Sequence, residues 1–285
     1  MYQPLECRPD SFKEWYEQGN RLRAEGYYYE ALASYNRAIN YKPCDYWTWY
    51  RKGAVFEALG DYEGAIASYE QAISIKPHNY WAWYEQGCIY AGELKQYDQA
   101  IICFSKVLAS YPQDYWAIYR LAESLRKLGK CEEARFNYDQ ALTIRPHDFW
   151  SFFRRGEVEQ ELGKLELALN SYDLAIKIQP DDYWTWYQKG TVLQQLELYQ
   201  QAIEHYNRVV ELDARFDLAW YQIACCYLQL HNHNWAILNL EKAIDLEPEK
   251  YLKLIIDKPL WKEYHQQTGF QLLVTNKSCR YDYKL

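Results

Sequence analysis

The chain has 285 residues, 49% apolar and 18% aromatic, and a formal net charge of −7 with a pI near 5.5. This acidity argues against a nucleic-acid role, because phosphate binding needs a basic face. The apolar share is ample for a continuous layered core. The stretch from Met1 to Asp10 lacks a signal-peptide shape and no apolar run approaches a membrane span, so membrane insertion is not expected. Eight cysteines, at 7, 44, 88, 103, 131, 225, 226 and 279, include no Cys-x-x-Cys pair. They read as reduced thiols in a cytoplasmic or stromal-like reducing compartment.

Residues 1–11 carry Pro4 and Pro9 and read as an irregular N-terminal segment. Seven units follow, at 12–45, 46–79, 80–114, 115–148, 149–182, 183–216 and 217–250. An aromatic signature opens the central five: Tyr46-Trp47-Thr48-Trp49-Tyr50, Tyr80-Trp81-Ala82-Trp83-Tyr84, Tyr115-Trp116-Ala117-Ile118-Tyr119, Phe149-Trp150-Ser151-Phe152-Phe153 and Tyr183-Trp184-Thr185-Trp186-Tyr187. A fixed repeat of this length implies a stacked solenoid and not one closed core. Position 4 of the unit is Trp15, Trp49, Trp83, Ile118, Phe152, Trp186 and Trp220, and position 8 is glycine or alanine throughout. Later come a second small residue and a ring four places on, as in Ala31 with Tyr35 and Ala65 with Tyr69. A proline closes every unit except the sixth, which has Ala214.

Positions 4, 8 and 11 form one helical stripe, and positions 20, 24 and 27 another. Small residues at 8 and 20 let two helices approach while rings at 4 and 24 fill the space beside them. Gly26, Gly60, Gly129 and Gly163 fall where the first helix must stop. The Trp-Gly-Tyr-Ala-Phe-Ala-Pro pattern at these offsets resembles the tetratricopeptide repeat over residues 12–250. The resemblance implies an all-α, right-handed superhelical solenoid of antiparallel helix pairs. Pentatricopeptide RNA readers share the period, but the acidity and the Trp/Gly/Pro pattern disfavour them. In the third unit Tyr90 and Ala100 lie one residue further apart than Phe56 and Ala65, which places an insertion near Gly92–Gln96. Residues 251–285 break the repeat and read as capping helices and a tail. Segments Tyr251–Ile256 and Leu260–Val274 are separated by Asp257-Lys258-Pro259, and Thr275–Leu285 reads as frayed.

No catalytic constellation emerges, so the chain is not expected to be an enzyme or to need a cofactor. Gly-x-Ser-x-Gly, a phosphate-cradling glycine loop and His-Glu-x-x-His are all absent from the sequence. His231 and His233 lack a third ligand nearby, and no metal site is expected. Cys225 and Cys226 point about 100° apart on a helix and read as packing residues.

A second stripe at positions 2, 5, 9 and 12 is the feature that points to function. In the resembling family this stripe lines the concave groove where partners bind. Here position 2 is Trp47, Trp81, Trp116, Trp150 and Trp184, and position 5 is Tyr50, Tyr84, Tyr119, Phe153 and Tyr187. Even one-third exposed, ten such rings present roughly 500–800 Å². Glu123 and Glu157, deeper in the groove, would orient a partner with some basic character. The competing reading is that the rings pack on each other across repeat boundaries and only stiffen the stack. The chaperone-tail clamp of the family uses Lys and Asn at groove positions, and only Asn20 matches. The leading expectation is a scaffold, adaptor or assembly factor that binds an extended apolar, aromatic or proline-rich segment of another protein. The overall style resembles cyanobacterial and organellar repeat proteins, some of which assemble photosynthetic complexes. The alternative is a small-ligand, glycan or pigment binder that stacks rings on the ladder. Self-association is a third reading.

Overall fold

The computed structural model describes residues 11–257, 259–262 and 268–280. It divides into two compact units, Met1–Arg145 and Pro146–Leu285. The first holds α1 (Phe12–Ala24), α2 (Tyr28–Tyr41), α3 (Tyr46–Ala58), α4 (Tyr62–Ile75), α5 (Tyr80–Gly92), α6 (Tyr97–Ser110), α7 (Tyr115–Lys127) and α8 (Cys131–Ile144). The second holds α9 (Phe149–Glu161), α10 (Leu165–Ile178), α11 (Tyr183–Gln195), α12 (Tyr199–Leu212), α13 (Asp217–Gln229), α14 (His233–Leu246), α15 (Pro248–Asp257), α16 (Pro259–Lys262) and α17 (Thr268–Arg280). No strand occurs among the described residues. Within each unit, consecutive helices pack as antiparallel pairs, and each pair packs on the next.

The odd-numbered helices from α1 to α11 start where a short polar side chain can hold a free backbone N–H. Asp45 accepts from the Thr48 N–H at 3.0 Å, and Ser11, Asn79, Asp114, Asp148 and Asp182 cap their own helices in the same way. The turn after α3 is closed by Gly60 at φ 75°, with its N–H on the Glu57 carbonyl and the Asp61 N–H on the Phe56 carbonyl, both at 2.9 Å. Gly26, Gly129 and Gly163 adopt the same left-handed backbone, and Lys95, Glu197 and His231 take it in the other units. The extra residue of the third repeat lies in this turn, because α5 and α6 are joined by residues 93–96 where α3 and α4 are joined by 59–61.

The close approach of paired helices is set by position 8. A Cβ on Gly53 would lie 2.7 Å from Cε1 of the fully buried Tyr69, and one on Gly156 would lie 2.7 Å from Cε1 of Tyr172. The first-helix core is wider than the 4, 8 and 11 stripe. Position 3 is buried throughout the central repeats, as Thr48, Ala82, Ala117, Ser151 and Thr185. Position 10 is buried too, as Val55, Ile89, Ser124, Val158 and Val192. The position-4 tryptophans are only half-buried, and their indole N–H groups bond the loop before the helix. Trp49 donates to the Pro43 carbonyl at 2.8 Å, Trp83 to Pro77 at 2.9 Å, Trp186 to Pro180 at 2.8 Å and Trp220 to Ala214 at 3.0 Å.

The C-terminal segment covers the last apolar face of the second unit. Tyr251, Leu252 and Ile255 of α15, Trp261 of α16, and Phe270 and Leu273 of α17 share one buried cluster with Tyr221, Leu228 and Leu240. The Asp217 carboxylate accepts from the Tyr251 hydroxyl at 2.6 Å and from the Lys250 ammonium, which fixes α15 to α13. Residues 275–280 are helical within α17 and not frayed, and the buried Lys277 there donates to Asp245 at 2.6 Å. The expectations for residues 1–10, Lys258, 263–267 and 281–285 lie outside the described residues. Cys225 and Cys226 point into different buried clusters, as packing residues do.

Candidate partner-binding surface

Each central first helix opens with a ring trio. In α3, Tyr46 is 1% exposed and stacks on Tyr50 with centroids 6.1 Å apart, while Trp47 stands edge-on to Tyr46 at 5.0 Å and to Tyr50 at 5.7 Å. Tyr50 in turn leans on Tyr69 of α4 at 5.7 Å. The same contact from position 5 to the second-helix ring recurs as Tyr84 on Phe104, Tyr119 on Tyr138, Phe153 on Tyr172 and Tyr187 on Tyr206. These ring contacts run within a repeat and not across repeat boundaries.

The arrangement separates the two stripe positions. The position-2 indoles stay open: Trp47 is 39% exposed, Trp81 49%, Trp116 49%, Trp150 53% and Trp184 37%. At position 5, Tyr50, Tyr84 and Tyr119 are half-buried, whereas Phe153 is 2% and Tyr187 9% exposed. The position-5 rings therefore serve mainly as a floor. With the floor covered, the three indoles of the first unit present roughly 200–350 Å² of apolar surface, less than ten part-exposed rings would give. Cations sit at the margins of indoles in each unit. The Arg145 guanidinium lies 3.9 Å from the Tyr115 centroid and 5.0 Å from that of Trp116, and Arg154 lies 5.9 Å from Trp150. In the second unit Trp184 lies nearly flat on Tyr187, with Phe216 edge-on at 5.7 Å.

The deeper polar positions are largely occupied within the chain. Glu123 accepts from the Tyr138 hydroxyl and pairs with Arg126 at 3.3 Å, and Glu157 pairs with Arg154 at 2.8 Å. The Tyr69 hydroxyl donates to Glu57 at 2.9 Å and the Tyr206 hydroxyl to Gln194 at 3.0 Å. These polar groups satisfy the one hydroxyl that each buried second-helix tyrosine brings into the core.

Sequence reasoning missed position 1. Tyr46, Tyr115 and Phe149 are core rings, and the Tyr46 hydroxyl bridges repeats by donating to Asn79 at 2.8 Å while accepting from the Ala82 N–H at 3.2 Å. Burial pushes that hydroxyl up to about 12, so it stays protonated. The invariant ring before each tryptophan was the available signal.

Tetratricopeptide-repeat models match residues 19–60, 46–79, 68–102, 119–183, 183–216 and 218–250. The chain belongs to the tetratricopeptide repeat family. Proteins of this family mediate contacts with other proteins, and the family is typically non-catalytic. Among solved structures, the C-terminal part of a TPR repeat-containing protein from Cytophaga hutchinsonii is 16% identical, with a TM-score of 0.71 over 84% of this chain and 98% of that one. YrrB, described as a TPR protein with an unusual peptide-binding site, is 22% identical, with a TM-score of 0.58 over 67% and 97%. MamA from Desulfovibrio magneticus is 20% identical, with a TM-score of 0.55 over 62% and 99%. At these identities the likeness is one of fold. No curated protein matches the chain.

Among the described residues no group of three or more His, Cys, Asp or Glu side chains is placed to hold a metal, and no helix is long and apolar enough to cross a membrane. Hollows of about 350, 390 and 540 Å³ occur in the first unit, and none of the three is lined by a position-2 indole.

Proposed function

We propose that the protein is a non-enzymatic adaptor or assembly factor whose position-2 tryptophans bind an extended apolar, aromatic or proline-rich segment of another protein. The observation that carries this is the contrast within each trio. Five indoles at one register position remain 37–53% exposed, while Tyr46, Tyr115, Phe149, Phe153 and Tyr187 beside them are buried, Tyr50, Tyr80, Tyr84 and Tyr119 are half-buried, and Tyr183 alone is as open as its indole. An exposed indole offers a flat apolar face and one N–H, which suits stacking on proline or aromatic side chains and bonding to an extended backbone. Tyr50, Tyr84 and Tyr119 add a half-buried ring edge, and Phe153 and Tyr187 hold the indoles above them in place. Glu123 and Glu157 act through their arginine partners rather than as free charges. The test is an affinity capture from native lysate that compares the wild type with Trp47→Ala/Trp81→Ala/Trp116→Ala at matched circular dichroism. A specific partner retained by the wild type and lost from the folded variant supports the reading. Equal retention by both moves the binding site elsewhere.

A further inference from the structure

Position 12 of one first helix neighbours position 6 of the next, and in the first unit this register sets like charge beside like charge. Arg23 of α1 and Arg51 of α3 share the surroundings of Tyr35, and Glu57 of α3 and Glu85 of α5 those of the Tyr50 and Tyr69 rings. Both arginines act electrostatically on the Tyr35 hydroxyl, which donates to Asn20 at 2.9 Å. The Nε atoms of Arg23 and Arg51 are buried without an acceptor, and neither side chain forms an ion pair with a described residue. One repeat further on, Glu57 and Glu85 are joined through their tyrosines. Tyr69 donates to Glu57 at 2.9 Å, Tyr50 donates to Glu85 at 3.2 Å, and the two rings lie 5.7 Å apart. Burial and the Glu57 charge raise the Glu85 carboxyl above its ordinary value. Glu57 and Glu93 line a hollow of about 390 Å³ that Arg120 lines as well.

A chain selected for stability alone gains by setting Arg opposite Glu at each junction. This one sets no opposite charge at either station, with Arg51 over the Tyr50 ring at 5.9 Å and Glu57 and Glu85 accepting from tyrosine hydroxyls, beside the exposed Trp47 and Trp81. Adjacent first helices lie about 8–10 Å apart, which is about three residues of extended chain at roughly 3.3 Å each. We infer that the first unit binds an extended peptide with an acidic and a basic side chain three residues apart, the acidic one on Arg23 and Arg51 and the basic one on Glu57 and Glu85. This rests on the peptide-binding reading of the tryptophan face and adds the charge pattern of the partner.

The test is selection of a random dodecapeptide library, displayed on phage, against the full chain. Enriched peptides should carry an acid and a base three residues apart within an apolar or proline-rich background. In Arg51→Glu/Glu85→Arg each station becomes an internal ion pair, so this variant should be at least as resistant to urea as the wild type. It should bind the best enriched peptide at least tenfold more weakly. Enriched peptides without the spaced pair, or tight binding of the same peptide to that variant, would overturn the inference. Enrichment without a charge pattern that is lost on Trp47→Ala/Trp81→Ala/Trp116→Ala would leave the tryptophan face standing and remove only the charge stations. No enrichment on the wild type would remove both.

Discussion

Gly53→Ala tests the packing that holds the aromatic surface in place. A methyl at this position meets Cε1 of Tyr69 at 2.7 Å, Cδ1 at 2.8 Å and Cζ at 3.0 Å, all well inside ordinary contact. Tyr69 is fully buried and its hydroxyl is held by Glu57, so the ring cannot swing away cheaply. Overpacking of this kind costs about 1–3 kcal/mol. Replacing a mid-helix glycine with alanine returns roughly 1 kcal/mol through helix propensity. The net expectation is a loss between about 0 and 2 kcal/mol. The fourth repeat sets Ala122 against Tyr138, so a helix pair can adjust to the methyl, which favours the lower part of this range. The seventh repeat pairs Ala224 with Leu240, and Tyr69→Leu copies that solution. In the Tyr69→Leu background Gly53→Ala should become stabilising, which gives a coupling of about 1–3 kcal/mol in a double-mutant cycle. Urea midpoints followed by circular dichroism measure all four proteins. A coupling of zero would refute the argument that the ring forces glycine at position 8.

Trp49→Phe keeps the ring but removes the N–H that reaches the Pro43 carbonyl at 2.8 Å, and should cost about 0.5–1.5 kcal/mol in urea. Full stability would make that bond incidental. Burial works to raise the Asp217 carboxyl, but the bonds from Lys250 and Tyr251 outweigh it and hold the group below its ordinary value of 3.8. Such a carboxyl contributes stability above its unfolded value, and the contribution is lost as pH falls through the folded one. Asp217→Asn should therefore cost up to about 1 kcal/mol at pH 7, and its gap to the wild type should close below 3.8. A gap that stays constant down to acid pH contradicts this. Burial raises the Cys88 thiol to about 11 and the Cys103 and Cys226 thiols to about 12, while Cys44 is exposed. Iodoacetamide labelling of the native chain, read by peptide mapping, should reach Cys44 at least tenfold faster than those three. Comparable rates would contradict the buried placement of Cys103 and Cys226 and the half-buried placement of Cys88.

The repeat made much of the helical framework legible, because period, glycine and ring each correspond to one local constraint. An Asp or Asn before the opening ring marks where a first helix starts, and the small residue at position 8 marks where a ring needs room. Position 3 was not legible. Thr48, Ala117 and Ser151 are too small to stand out in a hydropathy pattern, and their burial is created by a neighbouring helix. The split between positions 2 and 5 was also hidden. Both carry aromatics, and only the contact with the second-helix ring, such as Tyr50 on Tyr69, shows that one is floor and the other surface. Glu123 reads as a free groove charge in the sequence, yet it pairs with Arg126 and receives the Tyr138 hydroxyl, a partner fifteen residues away.

The most direct test of the tryptophan face is oxidative footprinting of the indoles, with the captured partner absent and then present. Trp47, Trp81 and Trp116 should be modified readily in the free chain and protected in the complex, while the buried Trp261 resists in both. Unchanged modification of those three indoles in a saturated complex would contradict it.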